Sequence, residues 1–160
     1  MAYNDWNISY KRALQAFPRL PFSLSYLVGG TGLLGFLGFL DATYLTVEHY
    51  KNAIPSCSLA HGCETVLTSQ YSTLFGIPIS LIGMGFYLAV MAFLLIWVQT
   101  KQKMWLNLLL ATTGAGLFVA LILVGIQAFI LHAFCQYCLG SEIIDFLLFD
   151  CVWWMGRKSE

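Results

Sequence analysis

The sequence predicts an all-α membrane protein, a four-transmembrane-helix bundle with a short capping helix in the first outer loop. Three observations carry that expectation. Of the 160 residues, 59% are hydrophobic and only 10% charged, more apolar surface than a water-soluble chain of this length can hide. The apolar residues gather into four stretches, and about 20 such residues let a helix cross the hydrocarbon core. The basic residues are placed asymmetrically. Lys11, Arg12 and Arg19 precede the first stretch, Lys101 and Lys103 join the second to the third, and Arg157 and Lys158 follow the fourth. Lys51 alone falls on the other side, so the positive-inside rule puts both termini in the cytoplasm.

Residues 1–21 are expected to form a cytoplasmic N-terminal segment. Within it, 5–17 alternates apolar and basic residues at helical spacing, which suits a helix lying flat on the membrane surface. Pro18 and Pro21 break that piece from the first span, expected over 22–47. This span is too long for the apolar core of a signal peptide and ends on no small-residue cleavage site, so it reads as a retained signal anchor. Its glycines (Gly29, Gly30, Gly32, Gly35 and Gly38) are the small residues that let helices approach closely in lipid. A polar outer loop follows, in which 64–72 has the pattern of a short helix lying across the mouth of the bundle. Gly76-Ile77-Pro78 opens the second span, 77–98, and proline costs little in a first helical turn. The third span covers 104–134 and is longer than a crossing needs. The fourth, 138–155, is short and carries Glu142, Asp145 and Asp150. The membrane domain is thus expected over 22–156, with 157–160 as a cytoplasmic tail.

On this topology Cys57, Cys63, Cys135 and Cys138 face the same compartment, the periplasm or cell exterior, where disulfides persist. Two pairs so placed read as a relay that passes electrons one disulfide at a time. Cys135 and Cys138 bracket two residues where the third span ends and the fourth begins. A sulfur at a helix start gains thiolate character from unpaired N–H groups and the helix dipole, and the expected helix start gives that role to Cys138. Cys135 is expected on the exposed side of the motif and Cys138 on the buried side. Cys57-Ser-Leu-Ala-His-Gly-Cys63 closes a small loop whose disulfide would constrain little chain, as exchangeable disulfides do. His49, His61 and His132 also lie at the outer end, but Cys57-x3-His61-x-Cys63 is a poor zinc spacing, and no metal is expected. Asp41, Glu142 and Asp145 are ionisable at membrane depth and are expected to face a polar interior, with Glu142 and Asp145 on one helical face. Cys151 reads as a small packed hydrophobe. The competing class is a non-enzymatic membrane protein whose cysteines are structural or bind zinc.

These residues together resemble the vitamin K epoxide reductase family in its bacterial and archaeal branch, over about residues 26–155. The resemblance rests on Asp41-Ala-Thr-Tyr44-Leu45 leading to His49, the Cys57/Cys63 loop, Ser69, Gly76-Ile77-Pro78, and the Cys135/Cys138 motif. DsbB-type quinone reductases carry their C-x-x-C in the first outer loop instead. The resemblance implies a thiol:quinone oxidoreductase of the plasma membrane that makes disulfides for secreted proteins. It implies a quinone, ubiquinone or menaquinone, entering from the lipid and stacking near Cys138, the sulfur that donates to it. Cys135 would exchange with the loop pair, and the loop pair would take electrons from a thioredoxin-fold, DsbA-like partner. Ser69 stands where the family has a polar residue near the quinone. Some members fuse the partner to the C-terminus; here a separate protein is expected. Animal members carry tyrosine where this chain has Glu142, which favours plain quinone reduction over epoxide reduction.

Overall fold

A computed structural model describes residues 22–53, 55, 57 and 62–159. The surface helix expected at 5–17 and the position of His61 lie outside these residues. Four long helices dominate: α1 (Phe22–Tyr50), α3 (Ile79–Thr100), α4 (Lys103–Gly125) and α5 (Gln136–Ser159). A five-residue helix, α2 (Cys63–Leu67), lies in the loop between α1 and α3. A 3-10 turn at Gln70–Ser72 and a minimal hairpin, β1 (Thr73–Leu74) with β2 (Ile77–Pro78), lead from it into α3. The short helix expected over 64–72 is therefore split. Ser69 adopts an extended backbone (φ −67°, ψ 158°) that no helix can continue through. The hairpin turns on Phe75 and Gly76, both at positive φ, and Phe75 is fully displayed at its tip.

Three helices are long and apolar enough to cross a membrane: Leu24–Tyr50, Ile79–Thr100 and Lys103–Leu131. The last includes a π-helical turn, Ile126–Leu131, that extends α4 to a left-handed stop at His132. The fourth long helix starts at Gln136, two residues before the expected span, and runs through Arg157 and Lys158 to Ser159. Its charged residues keep it out of the purely apolar class. The helices pack as a ring in which α1 touches α3 and α5, and α4 touches the same two.

Packing differs sharply along the bundle axis. At the end away from the cysteines, Val90, Leu109, Leu148, Val152 and Met155 interdigitate with no exposed surface. Between apolar helices in lipid it is this close van der Waals packing that holds the bundle together. Buried threonines hide their hydroxyls on their own helix, as Thr113 does by donating to the Leu109 carbonyl at 3.0 Å. Gly38 fulfils the expected role of the glycines, because a Cβ there would overlap the Tyr87 ring. Gly29 and Gly30 have open space around them and need another explanation, which the packing does not offer. Leu33, Phe36, Phe118 and Leu121 point outward, as lipid-facing side chains do.

Candidate functional site

The other end of the bundle is hollow, and Cys57, Cys63, Cys135 and Cys138 gather there, with Cys151 left in the packed half. After the left-handed turn at His132, the chain runs without regular structure to Cys135 and then coils into α5. The first α-helical bond runs from the Leu139 N–H to the Cys135 carbonyl at 2.9 Å, which makes Cys135 the residue that caps the helix. Its sulfur accepts the backbone N–H of Cys138 at 3.3 Å. Hydrogen bonding from Cys138 outweighs burial and pulls the Cys135 thiol down to about 7. Two expectations are thereby corrected. The helix begins two residues earlier than its apolar stretch, so the N-terminal position belongs to Cys135 rather than Cys138. Cys135 is also wholly buried, while Cys138 is the half-buried one and faces a cavity.

The loop cysteines are joined as a Cys57–Cys63 disulfide, with Cα atoms 6.1 Å apart. Cys63 opens α2 and is 2% exposed, whereas Cys57 is half-buried. Gly62 sets the loop against the second motif. A Cβ on it would stand 2.6 Å from the Phe134 nitrogen and 2.8 Å from its oxygen. Only glycine permits that backbone-on-backbone approach, and it brings the chain neighbours of Cys63 and Cys135 into contact. Inside the C-x-x-C motif, the Tyr137 ring rests on Tyr44 of α1, 5.4 Å between centroids.

Cys138 opens onto an apolar cavity of about 280 Å³ between the four long helices, walled by Leu45, Phe86, Val119 and Leu123. For comparison, an engineered apolar cavity of about 150 Å³ admits benzene. A small adjoining pocket of about 80 Å³ is shared by Cys138, Gln127, Glu142 and Ser69. The Ser69 hydroxyl is spent locally, donating to the Val66 carbonyl at 2.8 Å. A larger polar cleft of about 490 Å³, bordered by Glu48, His49 and Asn52, lies outside, and Leu45 and Ser80 border both it and the apolar cavity.

The cavity floor is polar on one side. Glu142, Asp145 and Ser141 project from α5 along the stripe that begins at Cys138. Ser141 donates to Asp41 at 2.5 Å, and the Tyr87 hydroxyl donates to the Ser141 carbonyl at 3.3 Å. Gln127 donates to Glu142 at 2.8 Å and accepts the Cys135 N–H at 3.0 Å, so one buried amide ties the acid to the cysteine. One oxygen of Glu142 and one of Asp145 remain without a partner. Asp41, Glu142 and Asp145 thus turn inward, and Asp150 is exposed. Sequence reasoning missed Gln127, Tyr87 and Ser141. For Gln127 a signal existed, a lone amide in the run Leu-Val-Gly-Ile-Gln-Ala-Phe. Among the described residues, no group of three His, Cys, Asp or Glu side chains could hold a metal ion.

The model of the vitamin K epoxide reductase family matches residues 31–153, a stretch that contains every residue of this site. No curated protein matches the chain.

Proposed function

The chain belongs to the vitamin K epoxide reductase family, and from that premise we propose that it is a membrane thiol:quinone oxidoreductase. It reoxidises a thioredoxin-fold partner and so drives disulfide formation in secreted proteins. The observation that carries this reading is the position of the C-x-x-C motif. On one side Gly62 packs against the Phe134 backbone, and on the other Cys138 faces the apolar cavity. A group between a disulfide and an apolar cavity is placed to hand electrons from the first to a ligand in the second.

In this scheme the partner's dithiol reduces Cys57–Cys63 and leaves with its own disulfide. Cys57 meets the partner, because Cys63 is sealed at 2% exposure. The Cys63 thiolate then attacks Cys135 and releases Cys138. Cys57 attacks Cys63 in turn, and Cys135 departs as a thiolate, for which its low pKa suits it. Cys135 and Cys138 together give two electrons and two protons to the quinone, forming their disulfide and a quinol. Cys138, which lines both cavities, would be the sulfur that meets the ring, and Ser69 borders the small pocket beside it.

The quinone is a ubiquinone or a menaquinone. Its ring needs an apolar slot with few polar groups, which is the character of the cavity. The membrane is the plasma membrane, α5 serves as a fourth span, and both termini are cytoplasmic, so the cysteines work in the periplasm or outside the cell. The test is anaerobic mixing of the purified protein with a reduced thioredoxin-fold partner and a quinone. One quinol should appear for each partner disulfide formed. Partner oxidation with no quinol, or quinol with no partner oxidation, would break the reading.

A further inference from the structure

Resting on that reading, we propose that Glu142 is the acid–base group of the site: it delivers a proton to a quinone oxygen and recovers one from the Cys135–Cys138 dithiol. The reaction itself raises the need. Two S–H bonds break and one S–S bond forms, while the quinone gains two electrons and two O–H bonds. In the balanced reaction both protons are those of the dithiol, the one that Cys135 sheds as a thiolate having already left its sulfur, yet the two oxygens of a quinone lie at opposite ends of its ring. A carrier must take them from one place to the other.

Glu142 has the position for it. It follows Cys138 by one helical turn on the same face of α5, and both side chains line the apolar cavity. It is only 9% exposed, and it lines the cavity rather than the protein surface. One carboxyl oxygen is held by Gln127 at 2.8 Å, which fixes the orientation of the group. The other has no partner at all. Among the described residues the one ion pair joins Lys51 to Glu48, remote from Glu142, so no cation is there to satisfy it. A buried carboxyl oxygen without a partner is satisfied when a proton on it reaches an acceptor in the cavity, and a quinone carbonyl is such an acceptor.

The link back to sulfur is equally direct. The amide that holds Glu142 also accepts the Cys135 N–H at 3.0 Å, so Gln127 is a positioning residue that sets acid and cysteine in one frame. It reaches both because it sits in the π-helical turn, a distortion that recurs at functional sites. The titratable groups around Glu142 are Asp41 from α1, Tyr87 from α3, and Cys135, Cys138 and Asp145 from the motif and α5. The part of α4 that borders it contributes only the uncharged Gln127.

The test separates the half-reactions. Full-length protein is reduced with dithiothreitol, freed of it anaerobically, and mixed with a short-tailed benzoquinone while quinol is followed in a single turnover. Glu142→Gln keeps the size and the bond to Gln127 but cannot carry the proton. It should slow quinol formation by about 100-fold, the usual worth of a general acid. Reduction of its Cys57–Cys63 disulfide by dithiothreitol should match the parent. Glu142→Asp should recover much of the rate, which a purely steric role would not allow. Infrared difference spectra between the quinone-loaded and quinol-loaded protein should show a carboxyl band that Glu142→Gln lacks. A Glu142→Gln protein that forms quinol at the parent rate would overturn the role, and so would a Glu142→Asp protein as slow as Glu142→Gln. A reduced parent that forms no quinol would instead overturn the thiol:quinone reading itself, and this role with it.

Discussion

At the scale of single residues, what matters is which sulfur holds the charge. Cys135 caps α5 and accepts the Cys138 N–H, and its thiol is lowered to about 7. A lowered thiol pKa means thiolate above that value and thiol below it, so the charge is lost as pH falls. Reduced protein with Cys57, Cys63 and Cys151 replaced by serine should show an ultraviolet thiolate band that disappears on acidification with a midpoint near 7. The same protein with Cys135→Ser should not show that midpoint. Cys151 lies on α5 far from the cavity wall, and Cys151→Ser should leave turnover within about threefold of the parent, as substitutions away from a site do. Serine at any of Cys57, Cys63, Cys135 or Cys138 should abolish partner oxidation linked to quinol, because residues acting as a unit lose function together. The sequence singles out Asp41, Glu142 and Asp145 readily, since ionisable groups stand out in so apolar a chain. Gln127 could not be weighted the same way. A regular helix would have aimed it elsewhere, and nothing in the residue pattern announces a π turn.

At the scale of elements, the short loop helix governs the geometry between the two cysteine pairs. α2 is too short to persist alone in water, so its position depends on what it touches. Gly62, just before it, touches the backbone of Phe134. Gly62→Ala should push the loop off the second motif while leaving Cys57 and Cys63 free to bond. Electron transfer between the pairs should fall by roughly 100-fold, the cost of about 1 Å of misplacement, while dithiothreitol still reduces the loop disulfide normally. Rapid-quench thiol trapping separates the two steps. Element boundaries were the least legible part of the sequence. The 64–72 pattern is helical by composition, but the extended backbone at Ser69 divides it. The fourth helix begins where capping allows rather than where apolarity begins, and that shift of two residues interchanged the expected burial of Cys135 and Cys138.

At the scale of the molecule, three of the long helices were legible because lipid leaves an unmistakable composition, about 20 mainly apolar residues. The fourth was harder because it supplies the polar floor of the cavity, and the same acids that form the floor dilute its apolar signal. The proposed orientation rests on charge alone and can be measured directly. In a cysteine-free background, Phe75→Cys at the hairpin tip should react with an impermeant maleimide added to intact cells. Lys103→Cys, at the opposite end of the bundle, should react only after the membrane is opened. Labelling of Lys103→Cys in sealed cells would reverse the orientation and remove the disulfide-forming role.

In the proposed reaction, the interdigitated half of the bundle, with Val90, Leu109, Leu148, Val152 and Met155 leaving no surface exposed, would also act as electrical insulation. The cysteines of both motifs and the acids of the cavity floor lie beyond it, so electrons and protons of the proposed reaction arrive and leave on one side. Moving one charge across the membrane against 100 mV would cost about 2.3 kcal/mol, and this chemistry moves none. In liposomes, the rate of quinol formation should therefore be the same with and without a potassium diffusion potential of either sign. A rate that follows the imposed voltage would mean that charge finds a route through the packed half.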